Sequence, residues 1–165
     1  MLRPFLILGT VLSAASASTC AQAIVRIEAP NLVNSRPLQE QTGRAAVRDY
    51  LQSWQALTAA LEQNRVDLLD RDFVGSARDT LAATIQQQTA LGISTRYQDR
   101  SHDLQVVFYS PEGLSIELTD NVEYDVQLVD HGRVKTAQHQ SARYVIVLTP
   151  AEVRWRVRVF QGAPR

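Results

Sequence analysis

Residues 153–160 read VRWRVRVF, with Val153, Trp155, Val157 and Val159 alternating with Arg154, Arg156 and Arg158. An alternation of this kind has two physical readings. It is a basic ridge for nucleic acid, or it is a β-strand with one dry and one wet face. Seventeen basic residues balance seventeen acidic ones over the 165 residues, so no global positive field exists to hold a polyanion. Trp155 points away from the arginines, and a single-strand binder needs aromatic and basic groups on one side. The strand reading stands, and nucleic acid is excluded as a partner.

The rest of the second half repeats the period of two. Leu104, Val106 and Phe108 alternate with polar neighbours, then Leu114, Ile116 and Leu118 continue through Val122, Tyr124, Val126 and Leu128. Tyr144, Ile146 and Leu148 form a further set. Four antiparallel strands are predicted. Pro111-Glu112-Gly113 and Asp130-His131-Gly132 fit three-residue hairpin loops with glycine in the left-handed position. They place Phe108 opposite Ile116, Val106 opposite Leu118 and Tyr124 opposite Gln138. A two-residue Pro150-Ala151 loop then places Leu148 opposite Val153 and Tyr144 opposite Val157. Even-numbered apolar residues face inward on the first three strands and odd-numbered ones on the last.

Three helices are predicted before the strands. Val47, Tyr50, Leu51, Trp54, Leu57 and Leu61 recur at steps of three and four, one face of a helix. Asn64 before Asp67, and Ser76 before Asp79, read as helix starts. Gly92 reads as a left-handed helix end. Residues 43–161 thus form one α+β domain, after a lead-in over 24–42 and before a short tail at 162–165.

Residues 1–23 read as a secretory signal peptide. Arg3 precedes the apolar run FLILGTVL, and small residues follow, with cleavage after Ala17 or Ala23. The run is too short to span a membrane. Cys20 is the sole cysteine; a lipid anchor on it is disfavoured by Thr19, since that signal wants a smaller residue there. The mature chain is read as secreted or periplasmic, without a disulfide.

Residues able to carry chemistry are few. His102, His131 and His139 have no metal-closing spacing, no phosphate-binding glycine loop is present, and no cofactor is implied. The acids of VDLLDRDFVGSARD are interleaved with arginines and read as surface pairs. No catalytic set is assigned. Asp120 is the nearest approach to an inward carboxylate, close to His102 if the first strand reaches that far. Tyr50, Trp54, Tyr124, Gln138, Tyr144 and Trp155 point inward and form a candidate pocket for a small apolar ligand. Val145 and Val147 lie on the outer face beside Arg154 and Arg156, a candidate interface for a homodimer or protein partner.

Three helices followed by a curved four-stranded sheet resemble the NTF2-like, or SnoaL-like, cone. The segments V47-R-D-Y-L-Q-S-W54, D67-L-L-D70 leading to Phe73, and R154-W-R-V-R-V159 carry the likeness. The resemblance implies either an enzyme (isomerase, cyclase or hydrolase) or a domain that dimerises or docks. For the steroid-isomerase-like branch it implies a helix tyrosine, matched by Tyr50, and buried acids, for which Asp99, Asp103 and Asp120 are the candidates. The leading expectation is an exported, non-enzymatic domain that self-associates or docks. A ligand binder and a cone-type enzyme are the alternatives.

Overall fold

The computed structural model describes residues 22–32 and 35–163; the signal-peptide and Cys20 readings lie outside them, in residues 1–21. The described chain holds β1 (Ile24–Ile27), α1 (Glu40–Gln63), a 3-10 turn (Val66–Leu69), α2 (Gly75–Leu91), β2 (Ile93–Tyr109), β3 (Ile116–Asp130), β4 (Arg133–Pro150) and β5 (Trp155–Ala163). The sheet runs β1-β2-β3-β4-β5, antiparallel except that β1 pairs in parallel with β2.

This corrects the predicted count to five strands and two α-helices. The lead-in contains β1, whose IVRI sequence is too short to show a period. The expected middle helix is a single 3-10 turn. Neither predicted helix start acts as a cap. Asn64 instead ends α1 in a left-handed conformation, φ 53°, and its side-chain amide donates to the Ile93 carbonyl at 2.7 Å. The Ser76 hydroxyl donates to the Arg158 carbonyl at 3.2 Å, linking α2 to β5. Gly92 does end α2 at φ 67°, where its N–H caps the carbonyls of Gln88 and Thr89.

One core joins the helices to the concave sheet face. Val47, Tyr50, Trp54, Leu57 and Leu61 of α1 meet Leu104, Val106, Leu118, Val122, Ile146, Leu148 and Val157. Leu69, Phe73, Ala77 and Ile85 complete it.

The three hairpins keep the predicted faces near the core but differ at the turns. The first is closed by Ser110, whose N–H donates to the Ser115 carbonyl at 2.9 Å and whose hydroxyl accepts from Leu114 and Ser115. A bulge between Val106 and Phe108 absorbs the difference, so Val106 opposes Leu118 as predicted while Phe108 opposes Glu117. Phe108 therefore joins the outer face and Tyr109 packs against the core, and Leu114 lies 61% exposed in the turn. In the second hairpin His131 and Gly132 both take positive φ, 46° and 77°. Two such residues make a two-residue loop, which pairs Asp130 with Arg133 directly. Together with a bulge at Lys135, this makes Tyr124 oppose Gln140, not Gln138. The third turn spans residues 151–154 and pairs Pro150 with Trp155 and Leu148 with Val157. A bulge at Arg158 then restores even pairing, Ile146 with Phe160, so Phe160 turns inward. Val153, read as an inward strand residue, is 85% exposed.

The arginine stripe is more than solvent cover. Arg154 Nη1 lies 2.5 Å from the buried Asp72 carboxylate. Arg156 donates to the carbonyls of Asp70 and Phe73, the latter at 3.0 Å. Backbone bonds Val157 N–H to Asp72 O, 2.8 Å, and Val74 N–H to Val157 O, 2.9 Å, close the outer edge of β5 with residues 72–74. Charged hydrogen bonds contribute roughly 1.5–3 kcal/mol each. Arg156→Ala should therefore lower the urea midpoint clearly, whereas Arg158→Ala on the exposed bulge should change stability within about 0.5 kcal/mol. Equal, small effects would show that the clamp on the 3-10 turn is not formed in solution.

Candidate functional site

Inside the cone the helix face of α1 brings two polar-tipped aromatics, Tyr50 and Trp54, one turn apart over the sheet. A bulge between Asp99 and Ser101 adds Arg100 to β2. That extra residue puts Asp99 and His102, which a regular strand would send to opposite faces, on the same inner face. Asp120 of β3 lies across from Leu104 on one side and Tyr144 on the other.

These side chains form a continuous chain of contacts. The Tyr50 hydroxyl donates to Asp120 Oδ2 at 2.7 Å, and His102 Nδ1 meets the same oxygen at 2.8 Å. His102 Nε2 is 4.0 Å from Asp99 Oδ2, which also accepts the Trp54 indole N–H at 2.9 Å. Tyr50, His102 and Asp120 are 1%, 2% and 0% exposed. The Oδ1 atoms of Asp99 and Asp120 are buried without a hydrogen-bond partner.

Burial alone would lower the basicity of His102. Its hydrogen bonds to Asp120 and Asp99, with the charge of both carboxylates, outweigh burial and raise its pKa to about 9. Burial, then the Asp120 charge and hydrogen bond, hold the Tyr50 hydroxyl well above its ordinary range, so it remains a neutral donor. The arrangement is an imidazolium between two acids, with a tyrosine fixing one of them.

A separate cavity of about 220 Å³ lies on the far side of Trp54. Its aromatic walls are Trp54, Tyr97, Tyr144 and Phe160, and Tyr144 and Phe160 stack at 4.6 Å between centroids. Gln88 and Thr95 supply polar lining, but they bond each other, and Gln88 also donates to Leu61 O and Asn64 Oδ1. Burial pushes the Tyr97 hydroxyl up to about 12. The Trp54 ring stands edge-on to His102 at 5.2 Å. It separates the charged chain from the cavity, and none of Tyr50, Asp99, His102 or Asp120 lines the cavity.

Of the predicted pocket residues, Trp54 and Tyr144 line the cavity. Tyr124 packs in the aromatic cluster, its hydroxyl 3.3 Å from that of Tyr144 and 3.4 Å from Gln140 Oε1. Tyr50 belongs to the charged chain. Gln138 is exposed on β4, displaced by the two-residue hairpin and the bulge at Lys135. Trp155 lies half-buried beyond the other end of the cavity, its backbone N–H donating to Asp49 Oδ2 at 2.8 Å. Tyr97 and Phe160 were missed because bulges reverse their parity. Of the predicted interface residues, Val145 and Val147 lie half-buried on the outer face, while Arg154 and Arg156 are engaged within the chain as described. Among the described residues no group of three His, Cys, Asp or Glu side chains is placed to hold a metal ion.

The raised pKa of His102 fixes a sign. Below about pH 6.5 the imidazole is protonated both folded and unfolded, and its stabilisation is complete. As pH rises towards about 9 the unfolded chain releases a proton that the folded chain keeps, so stability falls. Urea unfolding should lose up to ~1.4 kcal/mol per pH unit across this window, and His102→Gln should remove that slope. An unchanged slope in the variant would assign it to other groups.

No family model matches the sequence, and comparison with curated proteins gives no match. Solved structures do match. The intermembrane-space region of the chloroplast protein ARC6 aligns with a TM-score of 0.62 at 12% identity, covering 79% of this chain and 100% of that one. A Streptomyces avermitilis protein assigned as a dehydratase of the NTF2-like family aligns at 0.51 and 12% identity, covering 74% and 97%. A periplasmic fragment of TraM aligns at 0.50 and 14% identity, covering 73% and 98%. No helix of the described residues is long and apolar enough to cross a membrane. The architecture shared with these structures, helices over a largely antiparallel sheet, is the NTF2-like cone fold.

Proposed function

We propose that this chain is an exported NTF2-like domain that works by association, pairing with a second copy through the outer face of its sheet. The observation that carries this reading is the composition of that face. Val145, Val147 and Val159 form a half-buried apolar patch on β4 and β5, and Phe108 of β2 lies on the same face beyond Glu117 of β3. Glu117 and Glu123 lie on β3, and Arg143 lies on β4 opposite Asn121. None of these three charges has an ion-pair partner within 4.0 Å among the described residues. A two-fold axis through the face would set the acids of one copy against the arginine of the other, the self-complementarity an isologous dimer requires.

The interior supports association over catalysis. A general acid or base must reach the atom it protonates; Tyr50, His102 and Asp120 are buried, and of the charged chain only Asp99 reaches a surface pocket, shared with Tyr97, Gln98 and Arg96. Export follows from the expectation for residues 1–23. It is in keeping with neighbours that are an intermembrane-space region and a periplasmic fragment.

A second reading rests on the aromatic cavity. Its walls suit a small, flat apolar ligand. Its volume, about 220 Å³, lies below the ~300 Å³ at which ordinary ligand pockets begin.

Sedimentation of the mature protein at micromolar concentration tests the main reading. The wild type should sediment as a dimer and Val145→Glu as a folded monomer. A wild-type monomer would overturn self-association through this face.

A further inference from the structure

We infer a second contact site, independent of the sheet-face pairing: the free edge of β4 over Thr136–Ala142, which accepts an extended acidic segment of another protein as an added strand. β5 covers β4 only from Arg143 onward. Residues 136–142 pair with β3 on one side, Leu128 to Val122, and with no strand of the described residues on the other. Seven residues give an edge of about 23 Å, long enough for strand addition.

Edges of this kind are normally blunted by proline, a bulge or a cover. Here the bulge sits at Lys135, outside the open stretch, and β4 contains no proline before Pro150. Both faces of the arm are exposed. Its side chains, Thr136, Gln138 and Gln140 inward and Ala137, His139 and Ser141 outward, are small or hydrogen-bonding, so they do not obstruct a neighbouring backbone.

Charge selects the occupant. No Asp or Glu occurs between Asp130 and Glu152. Arg133 and Lys135 stand at the tip of the open edge, His139 at its middle and Arg143 at its base. Asp130 already meets Lys135 at 3.1 Å and Asp125 meets His139 at 3.2 Å. Arg133 and Arg143 have no such partner among the described residues. A second copy would bring an equally basic edge antiparallel to this one, which is repulsive. A strand with carboxylates at alternate positions is attracted at both ends.

The test uses the full mature protein carrying Val145→Glu, which removes sheet-face pairing from the readout. The probe is an extended synthetic peptide with glutamate at alternate positions and Val or Thr between; a lysine version is the control. Amide exchange across Thr136–Ala142 should slow by about tenfold with the acidic peptide and not with the basic one. Arg133→Glu with Arg143→Glu should exchange that preference. Equal slowing by both peptides, or by neither, would overturn the proposal. So would slowing without peptide that grows with protein concentration, which would put a second copy on the edge. These outcomes leave the sedimentation result for the sheet face unaffected.

Discussion

Asp120 is the point on which the interior depends. Its carboxylate is completely buried, and it accepts from the Tyr50 hydroxyl and from His102. One oxygen thereby ties α1, β2 and β3 together. A buried carboxylate left without partners costs several kcal/mol, so the helix cannot slide along the sheet without paying that penalty. The Trp54–Asp99 hydrogen bond repeats the constraint one turn further along α1. Hydrophobic packing alone would tolerate a shifted register; these directional bonds do not.

The same bonds give the cone two compartments. Trp54 is held by Asp99 on one edge and packed among Tyr97, Tyr124, Tyr144 and Phe160 on its faces. With that ring fixed, Tyr50, His102 and Asp120 are kept apart from a cavity lined by aromatic, leucine, threonine and glutamine side chains. Of the groups suited to acid–base chemistry, Tyr50, His102 and Asp120 are buried and Asp99 alone of these four lines a surface pocket. Outside, the sheet carries the apolar patch of Val145, Val147 and Val159 and the unpaired edge of β4.

Much of this was legible in the sequence, for identifiable reasons. The α1 face and the inward residues of β2 to β4 followed from periods of 3.6 and 2. The pairing of Val106 with Leu118 survived its wrongly drawn turn because the bulge fell beyond it. Proximity of Asp120 to His102 was also readable from parity, and the helical period placed Tyr50 on the buried face of α1. Tyr97 and Phe160 were not readable, and Asp99 entered only as a candidate acid implied by the resemblance, because a bulge at Arg100 and another at Arg158 each invert the alternation. Gln138 was placed opposite Tyr124 because Asp130 was counted in the loop; the two-residue loop and the bulge at Lys135 each shift the register by one, so Gln138 keeps its inward parity but Gln140 takes its place opposite Tyr124. The bonds of Arg154 and Arg156 to the 3-10 turn are tertiary, and alternation could only mark them as outward.

The account stands most directly on the charge state of His102. Nitrogen-15 chemical shifts of its ring should show both nitrogens protonated at pH 8, with titration near pH 9. A neutral ring at that pH, or titration close to the free value of about 6.5, would mean that Asp120 and Asp99 do not enclose an imidazolium. The strut that closes the cone would then be absent.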